Sequence, residues 1–168
     1  MQLDFTNLFN GSNEVINIDN NVDVSDLEYS CYYPIKNGAR VTGKAYCKAD
    51  VTYLDFLIEF TFNGFCDRCT EPISRNFQIK ANKIVVPELV NDDVDYDNYI
   101  VLENNILDVD SLVNEEIQLF LPHKMLCKED CKGLCPKCGK NLNQGKCDCK
   151  KDVDPRMSVL LQLLEDEQ

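Results

Sequence analysis

From Ala39 to Phe65 apolar and polar side chains alternate with a period of two, the signature of half-buried strands. Ala39, Val41, Gly43, Ala45 and Cys47 share one face of the first run, opposite Arg40, Thr42, Lys44, Tyr46 and Lys48. Ala49-Asp50 can turn the chain. Leu54, Phe56, Ile58, Phe60 and Phe62 then oppose Asp55, Glu59, Thr61 and Asn63, with Leu57 out of step. A third run sets Ile73, Phe77, Ile79 and Ala81 against Asn76, Gln78, Lys80 and Asn82. Three such runs in succession predict an antiparallel meander with one face on a core. The second and third are joined by Cys66-Asp67-Arg68-Cys69-Thr70-Glu71-Pro72, which puts a C-x-x-C at a hairpin tip.

The period then changes. Val109, Leu112, Val113, Ile117, Phe120 and Leu121 recur at helical spacing and predict a helix over 107–121, capped by Asp108 or Asp110 and stopped by Pro122. A closing helix is expected from Asp154-Pro155-Arg156, with Met157, Leu160, Leu161 and Leu164 as its apolar stripe. Residues 1–38 are weakly patterned and predict a short edge strand or two with loops; the stretch Asn91 to Asn98 reads as a solvated acidic loop. The pattern predicts an α+β protein: an antiparallel sheet with a packed helix, a cysteine-rich zinc-binding C-terminal module and a C-terminal helix. The expected division is an acidic sheet body over 1–122 and the cysteine module with its terminal helix over 123–168.

A chain of 168 residues, 44% apolar and 27% charged, is expected to be globular, one domain with a small appendage. No run of 18 apolar residues occurs, and Met1-Gln2-Leu3-Asp4-Phe5 lacks a basic region before an apolar stretch. Neither a membrane span nor a signal peptide is therefore expected, and a cytoplasmic setting follows. Thiols stay reduced there, so the ten cysteines read as metal ligands or reactive groups before disulfides.

Their spacing is informative. Cys127-x3-Cys131-x3-Cys135-x2-Cys138-x8-Cys147-x-Cys149 follows the upstream Cys66-x2-Cys69. A C-x-x-C turn presents two thiolates to one tetrahedral zinc, and two pairs complete a four-cysteine site. Cys135-Pro136-Lys137-Cys138-Gly139 suits such a turn, with Cys147 and Cys149 as its partners. The other set is then Cys66, Cys69, Cys127 and Cys131, although Cys127 or Cys131 could exchange into the second site. One or two structural Zn²⁺ ions are expected. Only Leu134 and Leu142 are large aliphatics between Cys127 and Cys149, so metal would supply that segment's core. Cys31 and Cys47 are left over and read as buried structural thiols.

Charge divides the chain. His123 to Lys151 holds eight Lys and three acids, a formal +5, while the remainder holds nine Lys/Arg and 26 acids, a formal −17; the whole is −12. The basic excess partly balances thiolates, or it contacts RNA through Lys132, Lys137, Lys140, Lys146, Lys150 and Lys151, with Arg68 near the hairpin tip. Two near-motifs fail. Gly38–Ala45 fits G-x-x-x-x-G-K but has Ala45 where a phosphate loop needs Ser or Thr, and it reads as strand. Asp93-x-Asp95-x-Asp97 lacks the glycine and the closing glutamate of a calcium loop. His123 is the only histidine and reads as exposed. With no nucleophile or general-base constellation, and with closed four-cysteine sites that leave no position for water, the chain is expected not to be an enzyme and to take no small-molecule substrate.

Phe65-Cys66-Asp67-Arg68-Cys69, Leu107-Asp108-Val109, Glu115-Glu116-Ile117, Leu121-Pro122, Cys131-Lys132-Gly133-Leu134-Cys135-Pro136-Lys137-Cys138-Gly139, Asn141-Leu142-Asn143 and Asp154-Pro155-Arg156, in this order, resemble the YceD family of large ribosomal RNA subunit accumulation proteins. The resemblance runs from about Leu57 to Leu164. It implies a non-catalytic ribosome biogenesis factor supporting large-subunit ribosomal RNA synthesis, processing or accumulation. The implied partner is ribosomal RNA or a large-subunit precursor particle. The competing reading is a zinc-stapled adaptor or chaperone whose acidic body holds a basic ribosomal protein without touching RNA.

Overall fold

The computed structural model describes residues 1–11, 14–88 and 98–149; the expected closing helix, Lys150, Lys151 and most of the acidic stretch lie outside them. The protein is mainly sheet with few helices. In chain order the elements are β1 (Gln2–Asp4), α1 (Thr6–Phe9), β2 (Val15–Val22), β3 (Ala39–Lys48), β4 (Val51–Phe65), β5 (Pro72–Val86), β6 (Tyr99–Val101), β7 (Ile106–Asp108) and α2 (Val109–Phe120).

Strands β2 to β6 form one sheet in sequential order, and β1 pairs with β7 in a separate two-stranded ribbon. The β2–β3, β3–β4 and β4–β5 pairs are antiparallel, whereas β6 joins β5 in parallel. The expected meander is therefore β3–β4–β5, extended by an antiparallel edge strand and a short parallel one. Ala49 and Asp50 both have positive φ, 52° and 61°, the backbone of a two-residue hairpin whose twist matches the flanking strands.

The register places Val41, Ile58 and Ile79 side by side on one face, with Ala39, Phe60 and Phe77 in the next row. Leu54, Ile58 and Phe62 are fully buried. Burying each such side chain contributes roughly 1.5–3 kcal/mol relative to leaving it exposed, which fixes which face turns inward. Helix α2 adds Val109, Val113 and Ile117 to the same core. Asp108 caps it by accepting from the Asp110 N–H, and Leu121 closes it in extended conformation just before Pro122. Phe120 meets the Phe60 and Phe77 rings edge-on, and Lys83 pairs with Glu116 at 2.8 Å.

The N-terminal segment does more than its sequence pattern suggests. Phe5 and Leu8 are fully buried members of the core, and Tyr29, Tyr32 and Phe62 form an edge-to-face cluster at the end of β4. One expectation is corrected here. Cys31 is exposed, because Ser30 and Cys31 form a tight turn with φ of 47° and 70° that points away from the core; Cys47 is only half-buried. His123 is exposed, and Gly38–Ala45 runs into β3 rather than into a loop before a helix.

Candidate metal centres

The eight clustered cysteines come together in two groups of four, Cys66, Cys69, Cys127 and Cys131, and Cys135, Cys138, Cys147 and Cys149. Within each group all sulfurs lie within 4.8 Å of one another. Cys66 and Cys131 are 3.7 Å apart, and Cys69 and Cys127 are 3.6 Å apart. These separations are far beyond a disulfide bond of about 2.05 Å. They match the edge of a thiolate tetrahedron around an ion at about 2.3 Å, which is about 3.8 Å. The donor set and its spacing fit a four-coordinate metal.

Both C-x-x-C pairs use the same backbone device. In the β4–β5 hairpin the Cys66 N–H donates to the Glu71 carbonyl and the Thr70 N–H to the Cys66 carbonyl, both at 2.8 Å. In the second the Cys135 N–H donates to the Lys140 carbonyl and the Gly139 N–H to the Cys135 carbonyl, both at 2.9 Å. The closing residue is left-handed each time: φ is 58° at Thr70 and 70° at Gly139. Glycine adopts that region freely, and a β-branched residue is strained there by roughly 1–2 kcal/mol. Thr70→Gly is therefore expected to stabilise the protein by about 0.5–1 kcal/mol after glycine's own entropic cost, raising the thermal midpoint by about 1–4 °C. A lowered midpoint in calorimetry would refute the strain argument.

The knuckle amides also set the thiols. Burial pushes Cys66 up, but N–H groups of Cys127, Arg68 and Cys69 outweigh it and bring the thiol down to about 6. N–H groups of Cys138 and Lys137, aided by the Cys147 thiol, bring Cys135 to about 6. Cys69 moves the other way: a Glu71 N–H draws it down, but burial and its three sulfur neighbours push it to about 12. Cys149 rises to about 12 chiefly through Cys138, with burial and Cys135 adding to it. Cys131 is also drawn down, chiefly by the Asn143 amide, so lowered and raised thiols stand side by side in each group, and the repulsion between neighbouring thiolates is what a bound cation would remove.

The first group is wired into the body. Met125 is buried in the main core, its N–H donates to Asp67 at 2.5 Å, and its carbonyl accepts from the Asp67 N–H at 2.9 Å. Arg75 donates to the carbonyls of Leu126 and Cys127 at 2.8 and 2.9 Å. Arg68 donates to the Cys131 carbonyl at 2.9 Å. Gly133, at φ 73°, passes so close that a Cβ would sit 3.0 Å from the Arg68 carbonyl oxygen.

A polar strap joins the two groups. Asn143 donates to the Cys131 sulfur at 3.3 Å and accepts from the Lys132 N–H at 2.9 Å; Asn141 donates to Glu71 at 2.9 Å. Glu71, Asn143, Asp67 and Arg75 are the supporting residues that cysteine spacing alone did not reveal. Of these, Asn143 lay in a motif the sequence singles out, Asn141-Leu142-Asn143. Lys132, Lys137, Lys140 and Lys146 stand exposed around the second group, the Lys140 ammonium bonding to the Lys146 carbonyl at 2.9 Å. Among the described residues no helix is long and apolar enough to cross a membrane.

Fold and site define a class: a small sheet protein whose C-terminal segment is organised by two four-cysteine clusters able to hold metal. Within that class, the chain belongs to the family described as "Large ribosomal RNA subunit accumulation protein YceD", whose model matches residues 54–164, from β4 through both clusters. The Bacillus subtilis (strain 168) protein YlbN is 30% identical over 130 residues, covering 76% of this chain and 75% of its own. A Mycobacterium tuberculosis (strain ATCC 25618 / H37Rv) protein is 28% identical over 107 residues, 62% of this chain and 51% of its own, so the chain spans about half of that relative. The Arabidopsis thaliana protein described as "Large ribosomal RNA subunit accumulation protein YCED homolog 1, chloroplastic" is 37% identical over 46 residues, 27% of this chain and 14% of its own. No solved structure matches the chain.

Proposed function

We propose that the protein is a non-catalytic factor in large-subunit ribosome biogenesis, acting in the cytoplasm to support synthesis, processing or accumulation of large-subunit ribosomal RNA. The observation that carries this is the family match, which spans the residues of both cysteine clusters. Two Zn²⁺ ions complete the site. Soft thiolates in a four-fold arrangement suit zinc, and a closed shell leaves no open position for a reacting water. Zinc here supplies folding energy and fixed geometry. This chain's own residues do the rest: knuckle amides orient the sulfurs, and Asn143 and Glu71 hold the second cluster against the first.

The zinc-held segment presents Lys132, Lys137, Lys140 and Lys146, followed in sequence by Lys150 and Lys151, to RNA phosphates of ribosomal RNA or a precursor particle. Arg68 serves that surface indirectly, by fixing the Cys131 carbonyl. Depletion of the protein tests the reading. Sucrose gradients are expected to show fewer large subunits and less of their RNA, with small subunits spared. An unchanged gradient and unchanged large-subunit RNA would overturn it.

A further inference from the structure

The body presents one surface unlike the rest. Residues 1–122 carry eight Lys/Arg and 21 Asp/Glu. The register of β2 to β5 puts Arg40, Lys44, Lys48 and Lys80 on the face away from the core, with only Asp19, Asp55 and Glu59 for acids. Half of the body's cations but one-seventh of its acids lie there. Asp19 is paired with Arg40, while Asp55 and Glu59 accept hydrogen bonds from the neutral amides of Asn82 and Gln78. Tyr46, Tyr53, Leu57 and Ile84 on this face take no part in the core.

Shape agrees with charge. Two shallow depressions adjoin on this face. One, of about 460 Å³, is lined by Asn17, Thr42, Lys44, Asp55, Leu57 and Lys80 among others. The next, of about 400 Å³, lies among Asn21, Arg40, Glu59, Thr61, Asn76 and Gln78. Beside the first, Tyr46 and Tyr53 stack at 5.6 Å and the Lys44 ammonium sits over Tyr46. From Lys80, the outward positions Gln78, Asn76 and Ser74 lead along β5 for about 27 Å, at 3.4 Å per residue, to the hairpin that carries the first cysteine cluster.

We propose that this open sheet face is a second RNA-binding surface, taking a single-stranded segment whose phosphates meet Lys44 and Lys80 while its bases lie on the tyrosine and amide side chains. Cations placed beside aromatic rings and amide side chains are what unpaired nucleotides require. Cations outnumber acids on this face, so a basic protein would gain little here, and the strongly acidic remainder of the body would repel RNA. That the RNA is ribosomal rests on the function proposed above.

The test uses the full zinc-loaded chain and fluorescein-labelled single-stranded RNA of about 20 nucleotides, an oligouridylate and a mixed sequence, followed by anisotropy across a salt series. Lys44 and Lys80 are both exposed, so the Lys44→Ala/Lys80→Ala variant is expected to fold. It should bind roughly tenfold more weakly, and its log K against log salt slope should fall by about 1.4, two phosphates at 0.7 each. Ultraviolet cross-links should map to Tyr46 or Tyr53. Unchanged affinity and slope, with no cross-link on β3 to β5, would overturn the proposal. So would binding lost only in a Lys132→Ala/Lys140→Ala variant, a result that leaves the biogenesis reading intact. Normal ribosomal RNA on depletion, with RNA binding that still depends on Lys44 and Lys80, would remove that reading and uphold this surface.

Discussion

Cys66→Ser is expected to cost the protein one of the two zinc ions proposed above and most of its stability. Cys66 is 1% exposed and is held by amides from both segments of its cluster. Serine nearly keeps the volume but offers no thiolate, so the tetrahedron loses a vertex and the sulfurs of buried Cys69 and Cys131 and half-buried Cys127 would lose their shared cation. The damage spreads because Cys131 belongs to the main apolar core and because Met125, Asp67 and Arg75 are positioned by the same junction. Loss of a structural metal is among the few mechanisms that exceed about 4 kcal/mol. A domain has roughly 5–15 kcal/mol in total. Native mass spectrometry should therefore show at most one zinc per chain, with a broadened, lowered unfolding transition. Cys31→Ser is the control: its exposed side chain predicts a change within about 0.5 kcal/mol. Two zinc ions and an unshifted midpoint in Cys66→Ser would refute the structural role of the first cluster.

How far the sequence discloses this architecture depends on the range of the forces involved. The bounds expected for β3 and β4 match those observed because every second residue of each turns toward the core, so burial prints its period along most of both strands. Helix α2 was legible for the same reason at a period of 3.6. By contrast, β1, β6 and β7 are three residues each and owe their existence to distant partners, as where Gln2–Asp4 pairs with Ile106–Asp108. No local pattern of three residues specifies that. Cys31 misled because residue type suggests burial, whereas the turn geometry at Ser30-Cys31 decides exposure. At the clusters, C-x-x-C spacing identified the sulfurs but not the hydrogen-bonded supports, since Glu71 and Asn143 act across gaps of 70 and 12 residues.

The two clusters should fail differently. Cys138→Ser is expected to release the zinc proposed for the second cluster while leaving that of the first and the sheet in place. Cys138 is exposed, and of its cluster only Cys135 is buried. Its segment has little apolar support beyond Leu134 packed at the core's edge. Without metal nothing local offsets the chain entropy of residues 135–149, roughly 1–2 kcal/mol per residue, so that segment should open by itself. The strap through Asn141 and Asn143 would release Glu71 and the Cys131 sulfur, a loss of hydrogen bonds worth about 1 kcal/mol each. Hydrogen exchange should then show the amides of Cys135, Gly139 and Leu142 unprotected while those of Leu54 to Phe62 exchange as in the parent, and native mass spectrometry should count one zinc. If β4 exchanges globally in Cys138→Ser, the second cluster is as integral to the core as the first, and the asymmetry in burial does not govern stability. If only the segment opens, the lysines around it lose their fixed spacing, and the salt dependence of the proposed RNA binding should flatten although every lysine remains.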